Sequence, residues 1–569
     1  MKNNKIKLFN ILLALSFAFS ACNDMLIEEA QSVLVPDFFT SEQGLEGELI
    51  GAYSGLRGLY GVGGNVGTDE FYTSDVVLGW EKSVDTYDAL LDPANAGISS
   101  PWTSAFVYIN SCNGVIQNGV DVDMDASRKT VMIAEAKFLR AQYYFALVQN
   151  YGATPLDLGS GKLAYNTNPS TLSERNSVAE VYDAIVSDLT ESVEGLPIKP
   201  AQLGRGTKAA ALHFLSKVYL TRATSVAAKS DDYTNAFQYA NELIQNQASY
   251  GAGLQQDFGM VHAEGHERDA EVLFTVEYTH DYVFGGGHSS PWLFTAGYEN
   301  CRVNGVTVVA RSIRYQRPWR MYVTTPHLIF ESFAEKKNDS RWDNSFRLMW
   351  ECNTSALESV GLNVGDPGIL LYFEGDDLST YPDACVKYKI EDLFDANGFY
   401  KHSYVNYMYP TLVKFDDTQR TALNDMSYRP FTTARLGETY LIAAEALIMQ
   451  GKKTEAAEYI NVIRRRAAYR PSLSPNELAQ AEAAMEIKDP NILDIDFILD
   501  ERTRELCGEQ SRWLELIRTH TLVERVKAHN PQGAPNVKPI HEIRPIPQSQ
   551  IDLMSDPAQK AAYQNEGYK

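Results

Sequence analysis

Loops that bind a polar ring-shaped ligand draw on two kinds of side chain. Flat apolar faces cover C–H groups, and planar polar groups exchange hydrogen bonds with hydroxyls. This chain groups both kinds in segments that lack helical periodicity. The first is TDEFYTSD with the tryptophan that follows, which brings Asp69, Glu70, Tyr72, Asp75 and Trp80 together. Trp80 has two readings, a stacking face for ligand or a plug beneath the loop. The second group surrounds a glycine turn and holds Tyr282, Trp292, Phe294 and Tyr298, with Asn300 and Arg302 as hydroxyl partners. The third is Trp319, Arg320 and Tyr322. The expected ligand contacts are therefore Asp69, Asp75, Trp80, Trp292, Tyr298, Asn300, Arg302, Trp319, Arg320 and Tyr322. Trp102, Phe106, Phe138 and Trp513 fall at helical spacing instead, which marks them as core.

Competing chemistries are weaker. Paired carboxylates could cleave a glycosidic bond, and 73 acidic residues leave that open by composition. No G-x-S-x-G, H-E-x-x-H or glycine-rich phosphate loop occurs, and no catalytic residue is assigned. His262 and His266 lie four apart, but Gly265 between them disfavours a helix and no third ligand is near in sequence. Gly365, Asp366, Glu374, Asp376 and Asp377 offer oxygens without the order of a calcium loop. No metal and no cofactor is expected. Asp500, Glu501, Arg502, Arg504, Glu505 and Arg512 read as an intramolecular ion network. Arg464, Arg465 and Arg466 read as solvated helix surface or as partners of acidic residues on a neighbouring element. Cys112, Cys301, Cys352, Cys385 and Cys507 form no C-x-x-C pair and are expected as buried thiols, free Cys packing as a small hydrophobe.

Something regular must hold these loops. From 436 to 468 the chain reads LGETYLIAAEALIMQGKKTEAAEYINVIRRRAA, two antiparallel helices about a turn at Gly451. Leu436, Tyr440, Ala443, Ala444 and Leu447 share one face of the first helix, and Ala457, Ile460, Ile463 and Ala467 line the second. The pattern is that of a tetratricopeptide (TPR) hairpin, which cannot bury its apolar face alone. Three earlier pairs are expected, at about 42–120 including a loop at 61–101, at 127–195 and at 206–248. Between the third and fourth pairs lie roughly 185 residues, rich in Gly, Tyr, Trp and Asn, which read as one irregular insertion with short strands such as EVLFTVEY. The fold class is mostly α: a scaffold of about four TPR-like pairs with a large loop-rich insertion. The boundaries are 1–21 signal, 22–40 tether, 41–250 the first three pairs, 251–432 the insertion, 433–470 the fourth pair, and 471–569 a C-terminal segment whose tail is Pro-limited and extended. The fourth pair should dock on the first three and pin both ends of the insertion.

The N-terminus carries an address. Lys2, Lys5 and Lys7 precede an apolar run, Leu8 to Phe19, too short for a permanent span. Ser20 and Ala21 then precede Cys22, as in a bacterial lipoprotein signal in which Cys22 is lipidated and becomes the mature N-terminus. Net charge over the 569 residues is −22, which argues against nucleic-acid binding. A hydrophobic fraction of 44% is enough for a sizeable core.

Several blocks in order sharpen this. EAKFLRAQYYFALVQNYGATPL at 135–156, RGTKAAALHFLSKVYLTRA at 205–223, YPTLVKFDD at 409–417 with RLGETYLIAAEALIMQG at 435–451, LDERTRELCGEQSRWLELIRT at 499–519, and IRPIPQSQI at 543–551 together resemble the SusD/RagB family of outer-membrane nutrient-binding lipoproteins. The resemblance covers essentially the whole mature chain. It implies a non-enzymatic protein, anchored to the outer membrane through Cys22 and facing the cell exterior. Such a protein caps a SusC-like TonB-dependent transporter and passes it an oligosaccharide, or in some members a peptide or other nutrient. It also implies that the helices face the transporter while the insertion and early loops face the ligand. A glycoside hydrolase and a TPR scaffold that binds only protein are the alternatives from other classes.

Overall fold

A computed structural model describes residues 40–61, 74–79, 83–156, 164–165, 174–281, 285–402, 407–509 and 512–568. The lipoprotein signal, Cys22 and the tether lie outside the described residues, as do Asp69, Glu70, Tyr72, Trp80 and Tyr282.

Eight helices form the expected pairs: α1 (Glu42–Gly55) with α2 (Ala96–Gly119), α3 (Ala126–Tyr151) with α4 (Val178–Gly195), α5 (Lys208–Arg222) with α6 (Asp232–Gln245), and α7 (Leu436–Met449) with α8 (Lys453–Ala468). Their starts are written locally. Ser41, Asp125 and Thr207 each accept a backbone N–H of the first turn, and Ser177 with Glu180 closes a capping box. Gly451 turns α7 into α8 at φ +77°, a conformation that favours glycine. Each helix packs on its successor from α1 to α6, and α7 then packs on α6 and α5. The solenoid thus continues across the insertion as though the intervening residues were absent. Leu436, Leu441, Ala443, Ala444 and Leu447 are all fully buried, because α7 is covered on every side.

The insertion leaves and returns on one antiparallel strand pair. β2 (Val272–Val276) starts it and β11 (Phe431–Arg435) ends it, with Phe431 opposite Val276 and Arg435 opposite Val272. Phe274 of β2 meets Phe138 of α3 edge-on at 5.1 Å and Phe214 of α5 at 6.2 Å. The stem is therefore riveted into the helical core, as the fourth pair's position requires. Beyond the stem the insertion builds its own apolar cluster from Leu293, Phe294, Tyr298, Tyr322, Trp342, Trp350 and Ile369. Its strands are short: β3 (Arg302–Val303) pairs with β4 (Val306–Thr307), β6 (Phe346–Arg347) with β10 (Thr411–Leu412), and β7 (Met349–Glu351), β8 (Pro367–Tyr372) and β9 (Val386–Lys389) make the one three-stranded sheet among the described residues. β1 (Val77–Gly79), from the early excursion, pairs with β5 (Tyr322–Thr324), so the two loop-rich regions share a sheet.

The C-terminal segment adds α9 (Pro475–Met485), α10 (Ile495–Leu506), α11 (Arg512–Arg518) and α12 (Leu522–His529). The tail departs from an extended course, with short helices at Gln548–Asp552 and Pro557–Tyr563. Arg544 stacks 3.9 Å over Trp513 there. α10 forms the expected ion network: Glu501 pairs with Arg341 and Arg464, and Glu505 with Arg341, Arg435 and Arg466. Of the three consecutive arginines, Arg464 and Arg466 are buried partners of acidic residues on another element, and Arg465 sits at the rim against Glu486. Among the described residues no helix is long and apolar enough to cross a membrane. The five described cysteines are buried free thiols.

Candidate functional site

Trp292 closes a short helix, Ser290–Leu293, and the segment 319–321 runs alongside it. The Trp319 and Met321 amides donate to the Trp292 and Leu293 carbonyls at 3.2 and 2.9 Å, and the Arg320 amide donates to the Thr295 carbonyl at 3.2 Å. The two indoles meet at 5.0 Å and 68°, edge to face. Gln316 and Arg320 bracket this turn at φ +62° and +57°. Left-handed backbone in a non-glycine residue is costly and persists only where surrounding contacts hold it. For Gln316 those contacts are visible: its carbonyl accepts the Tyr298 hydroxyl at 2.7 Å, and its Nε2 donates to the Ile313 and Asp417 carbonyls. The result is a rigid turn that presents a half-buried Trp319.

Charged groups gather around the same turn. Glu299 accepts from Arg311 Nε and Nη2 at 2.8 and 2.9 Å, and the Arg320 guanidinium comes within 3.9 Å of it. Arg317 lies over both indoles, its guanidinium carbon 5.1 Å from the Trp292 ring and 5.2 Å from Trp319, a cation–π arrangement. Burial, and then the neighbouring Arg311 charge, lower the Arg317 pKa from its ordinary value. Asn300 is half-buried next to Glu299, and Arg302 is exposed on the β3–β4 hairpin. The arrangement offers an aromatic face with planar cations beside it, which suits stacking and hydroxyl or anion recognition.

Four expected contacts go elsewhere. The sequence reading puts Asp75, Trp292, Tyr298 and Tyr322 against ligand, and the structure puts all four inside the protein, none more than 3% exposed. Asp75 is an ion partner of Arg512 and Arg525. Trp292 supports Trp319 from beneath. Tyr298 and Tyr322 fill the insertion's own core, Tyr322 against Phe294 at 5.4 Å. The reason is general: an irregular segment of this size must bury apolar surface of its own, and without helical or strand periodicity it does so with isolated aromatics. Trp319, Arg320, Asn300 and Arg302 remain accessible to differing degrees.

The other candidates resolve as structural groups. His262 is buried beside Glu509 at 3.2 Å, and His266 pairs with Asp269 at 2.7 Å. Asp366 accepts from the Asn363 amide and Asp376 from the Phe373 amide, as turn-forming side chains do. One group not flagged by spacing, His327, Glu331 and His529, has ligand-capable atoms within 4.8 Å of one another. The two imidazoles stack at 3.7 Å and 23°, so their in-plane lone pairs do not converge on one point. Between α3, α5, β11 and α10 lies an internal cavity of about 70 Å³, lined by Gln142, Phe145, Phe214, Lys217 and Glu438 among others. A water needs roughly 10–15 Å³ on that measure, so the space suits a few waters and not a sugar ring. A roomier, open recess of about 390 Å³ lies beside α3, lined by Arg128, Val131, Glu135, Pro197, Gln202 and Arg205.

Residues 335–568 match the SusD family model, and residues 51–220 match a model described as starch-binding associating with outer membrane. The chain belongs to the SusD/RagB family. Among SusD/RagB relatives, SusD-like protein P2 of Formosa agariphila is 25% identical over 94% of this chain and 93% of its own. A SusD-like protein of Bacteroides ovatus is 26% identical over 42% of this chain and 44% of its own. Among solved structures, a laminarin binding SusD-like protein superposes with a TM-score of 0.62 at 20% identity, covering 93% of this chain and 100% of that one. Surface glycan-binding protein A from Bacteroides thetaiotaomicron, in complex with laminarihexaose, gives 0.62 at 19% identity, covering 92% and 99%. At these identities the likeness is one of fold. In this SusD/RagB chain, sequence reasoning passes over Glu299, Arg311 and Arg317. The available signal is the three-residue spacing of Arg311, Arg314, Arg317 and Arg320 in a chain of net charge −22.

Proposed function

We propose that this SusD/RagB protein is a surface lipoprotein that captures an oligosaccharide and passes it, uncut, to a SusC-like TonB-dependent transporter in the outer membrane. The observation that carries this is the turn at 316–320. It holds a half-buried Trp319 on a rigid base, with Arg320 next in the chain and Glu299 within 3.9 Å of the Arg320 guanidinium. That is the pairing of stacking face and planar polar groups a sugar needs. The laminarihexaose complex of a protein with the same fold supports a glycan as the ligand class. Cys22, behind a basic and then apolar leader, is the proposed lipid attachment. The helical pairs are proposed as the side that meets the transporter, as the family resemblance implies.

Binding without cleavage is supported by the state of the buried carboxylates. Glu501, Glu505 and Asp75 are held as anions by arginines and are poor proton donors. Burial lifts Glu48 and Asp85 to about 7, as a general acid would be. Both, however, are buried away from Trp319, Glu48 in the α1–α2 interface and Asp85 under Asn530. The experiment is calorimetric titration of purified protein with an oligosaccharide panel, with chromatography of the mixtures for products. Binding without products is expected, and released shorter sugars would sink the proposal. Fractionation of cells carrying Cys22→Ala should move the protein out of the membrane fraction.

A further inference from the structure

We propose that the ligand is an anionic oligosaccharide, one carrying carboxylate or sulfate groups, and that Arg317 is the side chain that recognises its charge. This rests on the assignment of the 316–320 turn as the glycan face. Three of the four arginines at three-residue spacing have acidic groups at hand. Arg311 is held by Glu299, Arg314 by Glu351, and Arg320 approaches Glu299 at 3.9 Å. Arg317 differs. Among the described residues its guanidinium has no carboxylate in ion-pair range and no hydrogen-bond acceptor, and its contacts are the faces of Trp292 and Trp319.

A guanidinium seated between two indoles is restrained by them, and among the described residues no acceptor occupies its N–H groups. The guanidinium N–H edge matches the two oxygens of a carboxylate or sulfate in a bidentate geometry, and part of the ordering that usually opposes such a contact has already been done by the rings. The partly exposed ring of Trp319 adjoins the same point, so a sugar ring stacked there brings an acidic substituent within reach of Arg317. The global charge makes the placement more telling. A chain of net charge −22 repels polyanions at long range, so affinity for an acidic glycan has to come from a local cation left without a partner. A neutral glycan would gain only hydroxyl hydrogen bonds from this guanidinium, whereas an anionic one would gain a charge pair as well.

The test is calorimetric titration of the full mature protein with laminarihexaose, an oligouronate and a sulfated galactan oligosaccharide of similar length, at low and high salt. The same titrations are run on Arg317→Gln, Arg317→Lys and, as a control, Arg314→Gln at an exposed arginine. Expected is binding of at least one acidic sugar that weakens with salt, falls tenfold or more in Arg317→Gln, falls less in Arg317→Lys, and is unchanged in Arg314→Gln. The acidic sugar that binds distinguishes carboxylate from sulfate. Binding of laminarihexaose alone would overturn the charge assignment while leaving the glycan face standing. Acidic binding indifferent to Arg317→Gln, or reduced equally by Arg314→Gln, would do the same. No binding of any sugar would overturn both.

Discussion

Asp75 and Arg512, 437 positions apart, form a buried bidentate pair: Arg512 Nε and Nη2 donate to the two carboxylate oxygens at 2.8 and 2.6 Å. Arg525 adds a third donor at 2.6 Å. The pair ties the early excursion to α11 and α12. Removing one partner of a buried pair leaves an uncompensated charge and costs about 3–5 kcal/mol. Asp75→Asn should therefore lower the denaturation midpoint sharply while the folded fraction keeps its glycan affinity. Burial works to raise the Asp75 carboxyl, but the Arg512 charge and hydrogen bonds, with Arg525, hold it far below its ordinary value. Its contribution to stability is thus present above the unfolded pKa, about 4, and lost as pH falls below that. Chemical denaturation of wild type and Asp75→Asn across that range should show the gap between them closing.

Trp319 and Trp292 touch each other yet should respond oppositely. Trp319→Ala removes a partly exposed face, so sugar affinity should fall about tenfold, ~1.4 kcal/mol, with little change in melting temperature. Trp292 is 3% exposed, and Trp292→Ala should cost about 3–5 kcal/mol of stability. Calorimetry and thermal melts on both variants check this, and a Trp319→Ala protein with full affinity would remove the turn from the ligand face.

Tyr440 of α7 is 6% exposed, and its hydroxyl accepts from Gln247 Nε2 at 3.3 Å. Tyr440→Ala should destabilise by about 3–5 kcal/mol and Tyr440→Phe by about 1 kcal/mol, without a selective effect on binding. Urea denaturation measures the first two. A stable Tyr440→Ala protein that lost only its ligand would contradict the hairpin's structural role.

His288 ties the insertion's glycine turn to the strand that returns to α7. Its backbone exchanges hydrogen bonds with Ser427, and its Nε2–H donates to the Arg429 carbonyl at 3.1 Å. Burial, against a smaller opposing effect of that hydrogen bond, brings its pKa down to about 4. His262 is likewise brought down to about 4, mainly by burial. The unfolded chain protonates these rings near 6.5 while the folded protein does not, so stability should fall as pH drops from about 6.5 to about 4, by at most about 3 kcal/mol per ring. His288→Gln keeps a donor toward Arg429 without a titrating ring, and should flatten part of that slope in denaturation measured at several pH values.

Periodicity and capping carry through to the fold because they act locally. Ser177 with Glu180, Gly451, and the stripes of α3 and α7 each specify a helix or its end without reference to distant residues, and four pairs with apolar faces have little choice but to stack. The ordered family blocks add that the whole chain shares one architecture. The aromatic loops are another matter. The sequence identifies Trp292, Tyr298, Trp319 and Tyr322 as equivalent in kind, and only the tertiary structure divides them into three core plugs and one presented face. Which side of an irregular segment is covered depends on contacts hundreds of residues away, such as Gly79 against Tyr322 or Asp75 against Arg512. Local sequence holds no record of those contacts. Arg317 shows the same divide: its spacing from its neighbours is written in the chain, but its seat against two indoles, without an ion pair to a described carboxylate, comes only from folding.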